Sequence, residues 1–256
     1  MEFNQAKCKV MHLGRNNPRI EYKMGGVDLA ETEEERDLGV VVDSSMKPAV
    51  QCQTAAKNAN RVLGLIGKTF HYRTKNTLVP LYKSLVRPKI EHAVAAWSPW
   101  LEKDIECIEK VQKRLVRMLS NVRGNTYEDR LKDDGLTTLK ERRARGDAIE
   151  AFKMLNGINN VDKRDWFKIQ EIESIRPSTR SNTVVATNGG EEKKADIVLH
   201  ERAKTELRNQ SYRFCTARAW TEIPDSVKNV KTTNAFKTAY DRWRSNKNST
   251  ESSGVQ

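Results

Sequence analysis

The sequence predicts a mainly α-helical protein that begins with a small N-terminal antiparallel β hairpin or sheet. Short apolar runs separated by turn residues fill the first 43 positions, which is the pattern of short strands. From Ser44 to about residue 160, apolar residues recur at helical spacing in long runs. The hydrophobic content of 37% is low, but it includes enough Leu, Ile, Val and Trp in periodic runs to build folded cores.

The N-terminal strands are predicted where apolar runs stop at turn residues. A brief run from Lys9 to Leu13 ends at Gly14, and an alternating run from Ile20 to Met24 stops at Gly25 and Gly26. A compact β-branched run follows from Leu38 to Val42. We therefore expect residues 1–43 to form a small antiparallel sheet.

A helical region is predicted over residues 44–160. Asp43, Ser44 and Ser45 offer an N-cap for the first helix, with Pro48 in its first turn, and Thr74 offers a cap for the second. Pro88 is expected to kink the second helix. The first predicted helix runs from its cap to Phe70. The others run from Thr74 to Trp97, from about Lys103 to Ser120, around Tyr127 to Leu131, and from about Leu139 to Leu155.

The C-terminal part has weaker periodicity. Residues 161–210 are predicted to be an irregular linker with one strand at Thr183 to Ala186. Residues 211–246 carry aromatic side chains at helical spacing and are predicted to be C-terminal helices. The polar residues 247–256 are predicted to be a disordered tail.

The positive charge is concentrated in one part of the chain. There are 46 Lys and Arg against 34 Asp and Glu, a net charge of +12. No Asp or Glu occurs from Ser44 to Ile90, where nine Lys and Arg residues lie. A second acid-free run holds Lys110, Lys113, Arg114, Arg117 and Arg123. Because like charges repel on a helix, this pattern indicates a polyanionic partner, and nucleic acid is the default candidate. A basic surface kept for solubility is the alternative.

Other classes of protein find little support. We expect an intracellular protein, nuclear or cytoplasmic, because no apolar stretch is long enough to span a membrane and the start lacks a secretory signal pattern. The four cysteines are widely spaced, which argues against disulfides and a zinc site, and Cys8 with His12 is too small a ligand set. Phosphate-loop, dinucleotide and serine-hydrolase motifs are absent, so no active site is visible.

Several short segments nevertheless form an ordered pattern. They are FNQAKCKVMHLG (Phe3–Gly14), NP (Asn17–Pro18), ERDLGVVVD (Glu35–Asp43), LYKSLVRP (Leu81–Pro88), WSP (Trp97–Pro99), IEKVQKR (Ile108–Arg114), RRARGD (Arg142–Asp147), WTEIPDSV (Trp220–Val227) and NAFK (Asn234–Lys237). In this order and spacing they resemble the end of the palm and the following region in reverse transcriptases of jockey-like non-LTR (LINE-type) retrotransposons. The resemblance covers nearly the whole chain and weakens between about Val161 and Asn209.

The resemblance implies roles for particular residues. Asn4 and Lys7 match a motif in which the lysine lies near the incoming nucleotide. Leu38, Gly39 and Val40 match the primer-grip hairpin, which steers the primer 3′ end. The acid-free helices fall where the family places its thumb, along the template–primer duplex. Residues 1–43 would then be a palm remnant, followed by a helical thumb and connection.

The resemblance also implies what this chain lacks. The family's aspartates, which hold two Mg²⁺ ions in an intact enzyme, lie upstream of the residue matched by Phe3. Without them no metal clamp forms, so we expect neither a cofactor nor polymerisation by this chain alone. We therefore expect this chain to be a C-terminal fragment of the family's RNA-directed DNA polymerase.

The leading hypothesis is binding of RNA or an RNA:DNA template–primer, with no membrane or small-molecule cofactor involved. The alternative is a non-catalytic, basic helical protein that binds an acidic partner. The expected nucleic-acid-binding residues are Lys57, Arg61, Lys68, Arg73, Lys83 and Arg87.

Overall fold

The computed structural model describes residues 4–14, 16–119, 126–170, 197–199 and 203–253. It confirms the predicted class, because helices dominate and short strand pairs precede the first long helix. The chain divides into two compact units, Met1–Arg143 (unit 1) and Ala144–Gln256 (unit 2). None of the helices in the described ranges combines the length and the hydropathy that a bilayer-spanning segment requires.

Unit 1 begins with short strand pairs. Strands β2 and β3 form one antiparallel hairpin, and β5 and β6 form another. Strands β1 and β4 pair in parallel, which differs from the predicted antiparallel sheet. A parallel pair needs a long connection, and the chain between β1 and β4, which includes the β2–β3 hairpin, supplies it. The strands are β1 (Lys9–Val10), β2 (Lys23–Met24), β3 (Val27–Asp28), β4 (Ala30–Glu31), β5 (Glu34–Asp37) and β6 (Val40–Asp43).

Helix α1 (Ala49–Thr69) starts later than the predicted cap. The carboxylate of Asp43 accepts from Ser45 Oγ at 2.7 Å and from Lys47 N at 3.2 Å, so it closes a turn instead of capping the helix. Pro48 occupies the N-cap position with φ −76°, a value that its ring fixes and that suits the start of a helix. The apolar residues that recur at helical spacing form the buried side of α1, and Leu63 among them is fully buried.

The second predicted helix is interrupted twice. Helix α2 (Lys75–Leu81) begins after the predicted cap Thr74 and leads into a π-helical turn (Tyr82–Val86) and then α3 (Arg87–Glu91). The π-helical turn lies immediately before the Arg87–Pro88 step, where a wider turn accommodates the proline ring. Ala93, with φ 50°, then separates α3 from α4 (Val94–Trp97), so the helix is not continuous to Trp97 as predicted.

The remaining helices of this region follow the predicted bounds closely. They are α5 (Glu102–Leu119), α6 (Tyr127–Asp134) and α7 (Leu139–Leu155). Gly135, with φ 65°, ends α6 in the left-handed conformation that glycine adopts without steric cost. The first residues of α7 belong to unit 1 and the rest to unit 2.

A buried hydrogen-bond network ties these helices together around Gln112, which is fully buried. Tyr82 Oη donates to Gln112 Oε1 at 2.9 Å, and Gln112 Nε2 donates to the carbonyl of Thr137 at 2.9 Å. Tyr127 Oη donates to Glu109 Oε1 at 2.6 Å, and Leu139 N donates to Glu109 Oε2 at 3.1 Å, at the start of α7. Burial raises the pKa of Glu109, although the Tyr127 and Leu139 donors oppose that rise.

Unit 2 contains short elements and one long helix. They are α8 (Lys163–Trp166), β7 (Lys168–Gln170), β8 (Ile197–Leu199), α9 (Glu206–Asn209), α10 (Tyr212–Glu222), α11 (Asp225–Lys228) and α12 (Thr233–Ser253). Strands β7 and β8 pair antiparallel, and the core centres on Phe236, which stacks on Phe152 with ring centroids 4.4 Å apart.

Two predictions for unit 2 need correction. The segment 161–210 is not wholly irregular, because it contains α8, the β7–β8 pair and α9; the predicted strand at Thr183 to Ala186 lies outside the described residues. The predicted disordered tail is helical as far as Ser253. No Pro or Gly occurs from Thr233 until Gly254, so no strong helix breaker ends α12 earlier.

Candidate nucleic-acid interface

Helices α1 and α5 pack side by side and run in the same direction. Arg114 Nη1 donates to Asn60 Oδ1 at 3.2 Å. Gly67 lies about two turns after Asn60 on α1, and Met118 lies about one turn after Arg114 on α5. A Cβ added to Gly67 would lie 2.8 Å from Met118 Cε. The contacting residues therefore advance together along the two helices. Gly64 and Gly67 have no side chains at this contact, which allows α5 to approach α1 closely.

The predicted basic residues of α1 lie immediately beside the contact with α5. A helix turns by about 100° per residue, so Gly64 and Gly67 lie at about +40° and −20° from Asn60. By the same count, Lys57, Arg61 and Lys68 lie at about +60°, +100° and +80°. All three side chains are exposed, and within the described residues none of them has an ion-pair partner.

The basic residues of α5 lie on the same side of the helix pair. From Arg114, which contacts α1, Met118 lies at about +40°, whereas Lys110 and Arg117 lie at about −40° and −60°. When two parallel helices face each other, a positive rotation from the contact on one helix and a negative rotation on the other lead to the same side of the pair. The cations of α5 therefore lie alongside those of α1. This surface is called the basic face: Lys57, Arg61, Lys68, Lys110, Arg114 and Arg117.

The acidic residues near the basic face are few. Helix α1 contains none, and on α5 Glu106 lies at the far edge, at about −80° from Arg114. Lys113 already pairs with Glu106, with Nζ 3.0 Å from Oε2. Among the described residues of α1 and α5, those on the basic face are therefore all positively charged.

Half of the predicted binding residues lie elsewhere. Arg73 is exposed and donates to the carbonyl of Gly67 at 3.1 Å. Lys83 Nζ donates to the carbonyl of Gly135 at 3.4 Å, in the turn after α6. Arg73 follows the end of α1 and Lys83 lies in the π-helical turn, so neither residue is carried by the two helices that form the basic face.

Arg87 is held in a charge cluster. Its Nε lies 3.7 Å from Glu91 Oε2, and Arg142 also donates to the Glu91 carboxylate, at 2.5 and 3.1 Å. Burial lowers the pKa of the half-buried Arg87 from its ordinary value, and the positive charge of Arg142 lowers it further. Arg87 therefore contributes to the packing of α3 against α7 and is not presented as a free cation.

Sequence reasoning named the cations of α5 as an acid-free run but did not include them among the binding residues. What was missing was the parallel packing of α1 and α5, which joins two segments separated by about 50 residues in the chain. The signal in the sequence was the charge pattern of the run itself.

The β5–β6 hairpin carries the three residues that match the primer-grip motif. Leu38 and Gly39 form its turn, with φ 45° and 88°, so they are not part of the strand in which the sequence placed Leu38. Leu38 is 89% exposed at the tip, whereas Val40 is buried in the core. His92 Nε2 donates to the carbonyl of Leu38 at 3.2 Å, and Val41 N donates to Gln51 Oε1 at 2.9 Å. These contacts fix the hairpin against α1 and the end of α3.

Lys7 lies in a 3-10 helix (Gln5–Lys7) and Asn4 is its N-cap, just before the predicted strand that begins at Lys9. Asn4 Oδ1 accepts from Ala6 N at 3.1 Å, so the side chain caps this short helix. Lys7 is exposed to solvent.

The described residues contain no group of three or more His, Cys, Asp or Glu side chains arranged to hold a metal ion. Asp133 and Asp134 are adjacent, but the Asp133 carbonyl accepts from Lys75 Nζ, and burial raises the pKa of the Asp134 carboxyl.

The chain matches no protein-family model, and it has no significant match among curated proteins or solved structures. The candidate interface rests on the charge pattern of the sequence and on the geometry of the α1–α5 pair.

Proposed function

We propose that this protein binds RNA or an RNA:DNA hybrid along the basic face. The observation that carries the proposal is the placement of six Lys and Arg side chains on one side of two parallel helices, with no carboxylate between them among the described residues of those helices. Each phosphate that such a cation neutralises releases counterions, which gives binding that is independent of base sequence and sensitive to salt.

The dimensions of the basic face suit a nucleic-acid backbone. The distance from Lys57 to Lys68 corresponds to about 16 Å of helix, at about 1.5 Å per residue. One strand of double-stranded DNA presents about one phosphate charge per 3.4 Å of axis, so about five phosphates of one backbone lie within that length. A single backbone laid along α1 would therefore offer at least one phosphate to each of Lys57, Arg61 and Lys68.

We further propose that the chain corresponds to the thumb and C-terminal region of a non-LTR reverse transcriptase. This proposal rests on the order of the matching segments, from Phe3 to Lys237. It is supported by the agreement between the charge argument and the position at which that family carries its duplex-binding thumb. The activity proposed for this chain is binding, not polymerisation.

The test is competition binding on the full chain. Fluorescence anisotropy with a labelled RNA:DNA hybrid should show binding that weakens steeply as salt is raised. Unlabelled hybrid should displace the probe, whereas polyglutamate of equal total charge should do so poorly. Displacement by polyglutamate as efficient as by hybrid would favour the acidic-partner alternative, and absence of hybrid binding at low salt would refute the proposal.

A further inference from the structure

The loop between α1 and α2 exposes an aromatic residue to an unusual degree. Its sequence is Phe70-His71-Tyr72-Arg73, followed by the cap Thr74. Tyr72 is 84% exposed and Phe70 is 38% exposed, although aromatic side chains normally bury most of their area. Both rings lie outside the hydrophobic core of unit 1.

The loop is anchored at both ends, so the exposed ring is held on a defined support. Phe70 N donates to the carbonyl of Ile66 at 3.0 Å, at the end of α1. Leu78 N donates to the carbonyl of Thr74 at 2.9 Å, at the start of α2. Arg73 Nη2 reaches back to the carbonyl of Gly67, which ties the residue after Tyr72 to the last turns of α1.

The loop lies at the end of the basic face. Lys68, the last cation of the basic face on α1, is two residues before Phe70, and Arg73 follows Tyr72 directly. The acid-free stretch from Ser44 to Ile90 includes the whole loop. An exposed aromatic ring between cations, at the end of a cationic track, is the arrangement that binds nucleobases by stacking while neighbouring cations hold phosphates.

We propose that Tyr72 is a stacking platform for an unpaired nucleobase in a single-stranded segment that adjoins the duplex on the basic face. This inference rests on the proposed function. The base must be unpaired at an end, bulge or extension, because neighbouring bases cover both faces of a base inside a duplex. The site therefore selects a junction between duplex and single strand over a continuous duplex, and stacking tolerates any base because every base has an aromatic face.

The experiment compares two probes on the full chain. One is a blunt RNA:DNA hybrid, and the other is the same hybrid with a single-stranded RNA extension that carries 2-aminopurine. The wild-type chain should bind the extended probe more tightly and change its 2-aminopurine fluorescence. Tyr72→Ala should lose about tenfold in affinity for the extended probe, the loss typical of one stacked base, with unchanged affinity for the blunt probe.

Two further variants separate stacking from other effects. Tyr72→Phe keeps the aromatic face and should bind both probes as the wild type does. Tyr22→Ala removes another exposed tyrosine, which is 54% exposed and lies near His12 in the N-terminal region, and should leave both affinities unchanged.

The outcomes distinguish this inference from the proposed function. Equal binding of the extended probe by the wild type and Tyr72→Ala would overturn the stacking site and leave the proposed duplex binding standing. An equal loss on both probes would also overturn the stacking site, because Tyr72 would then act on duplex binding itself. Failure of the wild type to bind either probe would overturn both proposals. Binding to phosphatidylserine vesicles that depends on Tyr72, with no effect of Tyr72 on RNA binding, would overturn the inference in favour of a membrane contact.

Discussion

The network around Gln112 predicts a reversal in the effect of one substitution. In the wild type, Tyr82→Phe removes the hydroxyl that donates to Gln112 Oε1 and leaves a fully buried acceptor unsatisfied. An unsatisfied buried polar group costs about 1–3 kcal/mol, so Tyr82→Phe should lower the free energy of unfolding by that amount.

Gln112→Leu should cost more, because it leaves the buried Tyr82 hydroxyl without its acceptor, at about 1–3 kcal/mol, and also removes the Nε2 donor to the Thr137 carbonyl and to Tyr127 Oη. In that background Tyr82→Phe removes a hydroxyl that has already lost its acceptor. The double variant should therefore be more stable than Gln112→Leu alone, by about 1–3 kcal/mol.

Urea unfolding followed by far-ultraviolet circular dichroism measures both effects. With an m value of about 2 kcal/mol/M, a change of about 2 kcal/mol shifts the midpoint by about 1 M. Tyr22→Phe is the matched control, and as an exposed site it should change stability by less than about 0.5 kcal/mol. If Tyr82→Phe costs the same in both backgrounds, the two side chains are not coupled and the reasoning fails.

Three other perturbations follow from the structure. Leu63→Asp places a carboxylate in a fully buried position and should lower the free energy of unfolding by more than about 4 kcal/mol. The loss should be visible as a weaker helical circular dichroism signal. A variant that stays folded would show that α1 does not pack through Leu63. Leu38→Gly removes a side chain from a residue held at φ 45°, so it should raise the free energy of unfolding by up to about 1 kcal/mol and raise the melting temperature. Gly39→Ala should lower the melting temperature, because Gly39 has φ 88° and the added Cβ would lie 3.1 Å from His92 Nε2. The reverse order of melting temperatures would contradict the turn geometry. Burial raises the pKa of Glu109 in the folded chain, so the folded state binds that proton more tightly than the unfolded state and loses stability as pH rises from the ordinary Glu value through the raised one. Glu109→Gln should remove this loss in urea titrations at a series of pH values, and an unchanged pH profile would show that Glu109 does not titrate in this way.

The helices whose ends carry local signals were predicted best. Helix α7 has the predicted bounds, and α2 begins after the predicted cap Thr74, because periodicity and caps are local properties of the sequence. The turn at Leu38 was missed because a leucine at positive φ is unusual and nothing in its own side chain indicates it. The start of α1 was misplaced because Asp43 satisfies a turn before the helix begins.

The candidate interface was predicted in part. The charge pattern identified Lys57, Arg61 and Lys68, since their spacing alone places them in one sector of a helix. The role of Arg87 depended on Glu91 and on Arg142, which is far away in the chain, and tertiary contacts of that kind leave no local mark. The parallel packing of α5 on α1 is likewise a property of the folded chain.

The most direct test of the basic face is the salt dependence of hybrid binding in charge variants. Each lost phosphate contact should reduce the slope of log K against log salt concentration by about 0.7–0.9. The α1 variant Lys57→Gln/Arg61→Gln/Lys68→Gln should reduce it by about 2–3 units and the α5 variant Lys110→Gln/Arg117→Gln by about 1.5–2, with the five changes together giving about 3.5–4.5. Arg36→Gln/Lys132→Gln/Lys140→Gln is the control for the α1 variant, because it removes the same number of positive charges away from α1 and α5. It should change the slope by less than about one unit. If the five-residue variant keeps its helical circular dichroism and the wild-type slope, the parallel pair α1–α5 does not bind the nucleic-acid backbone.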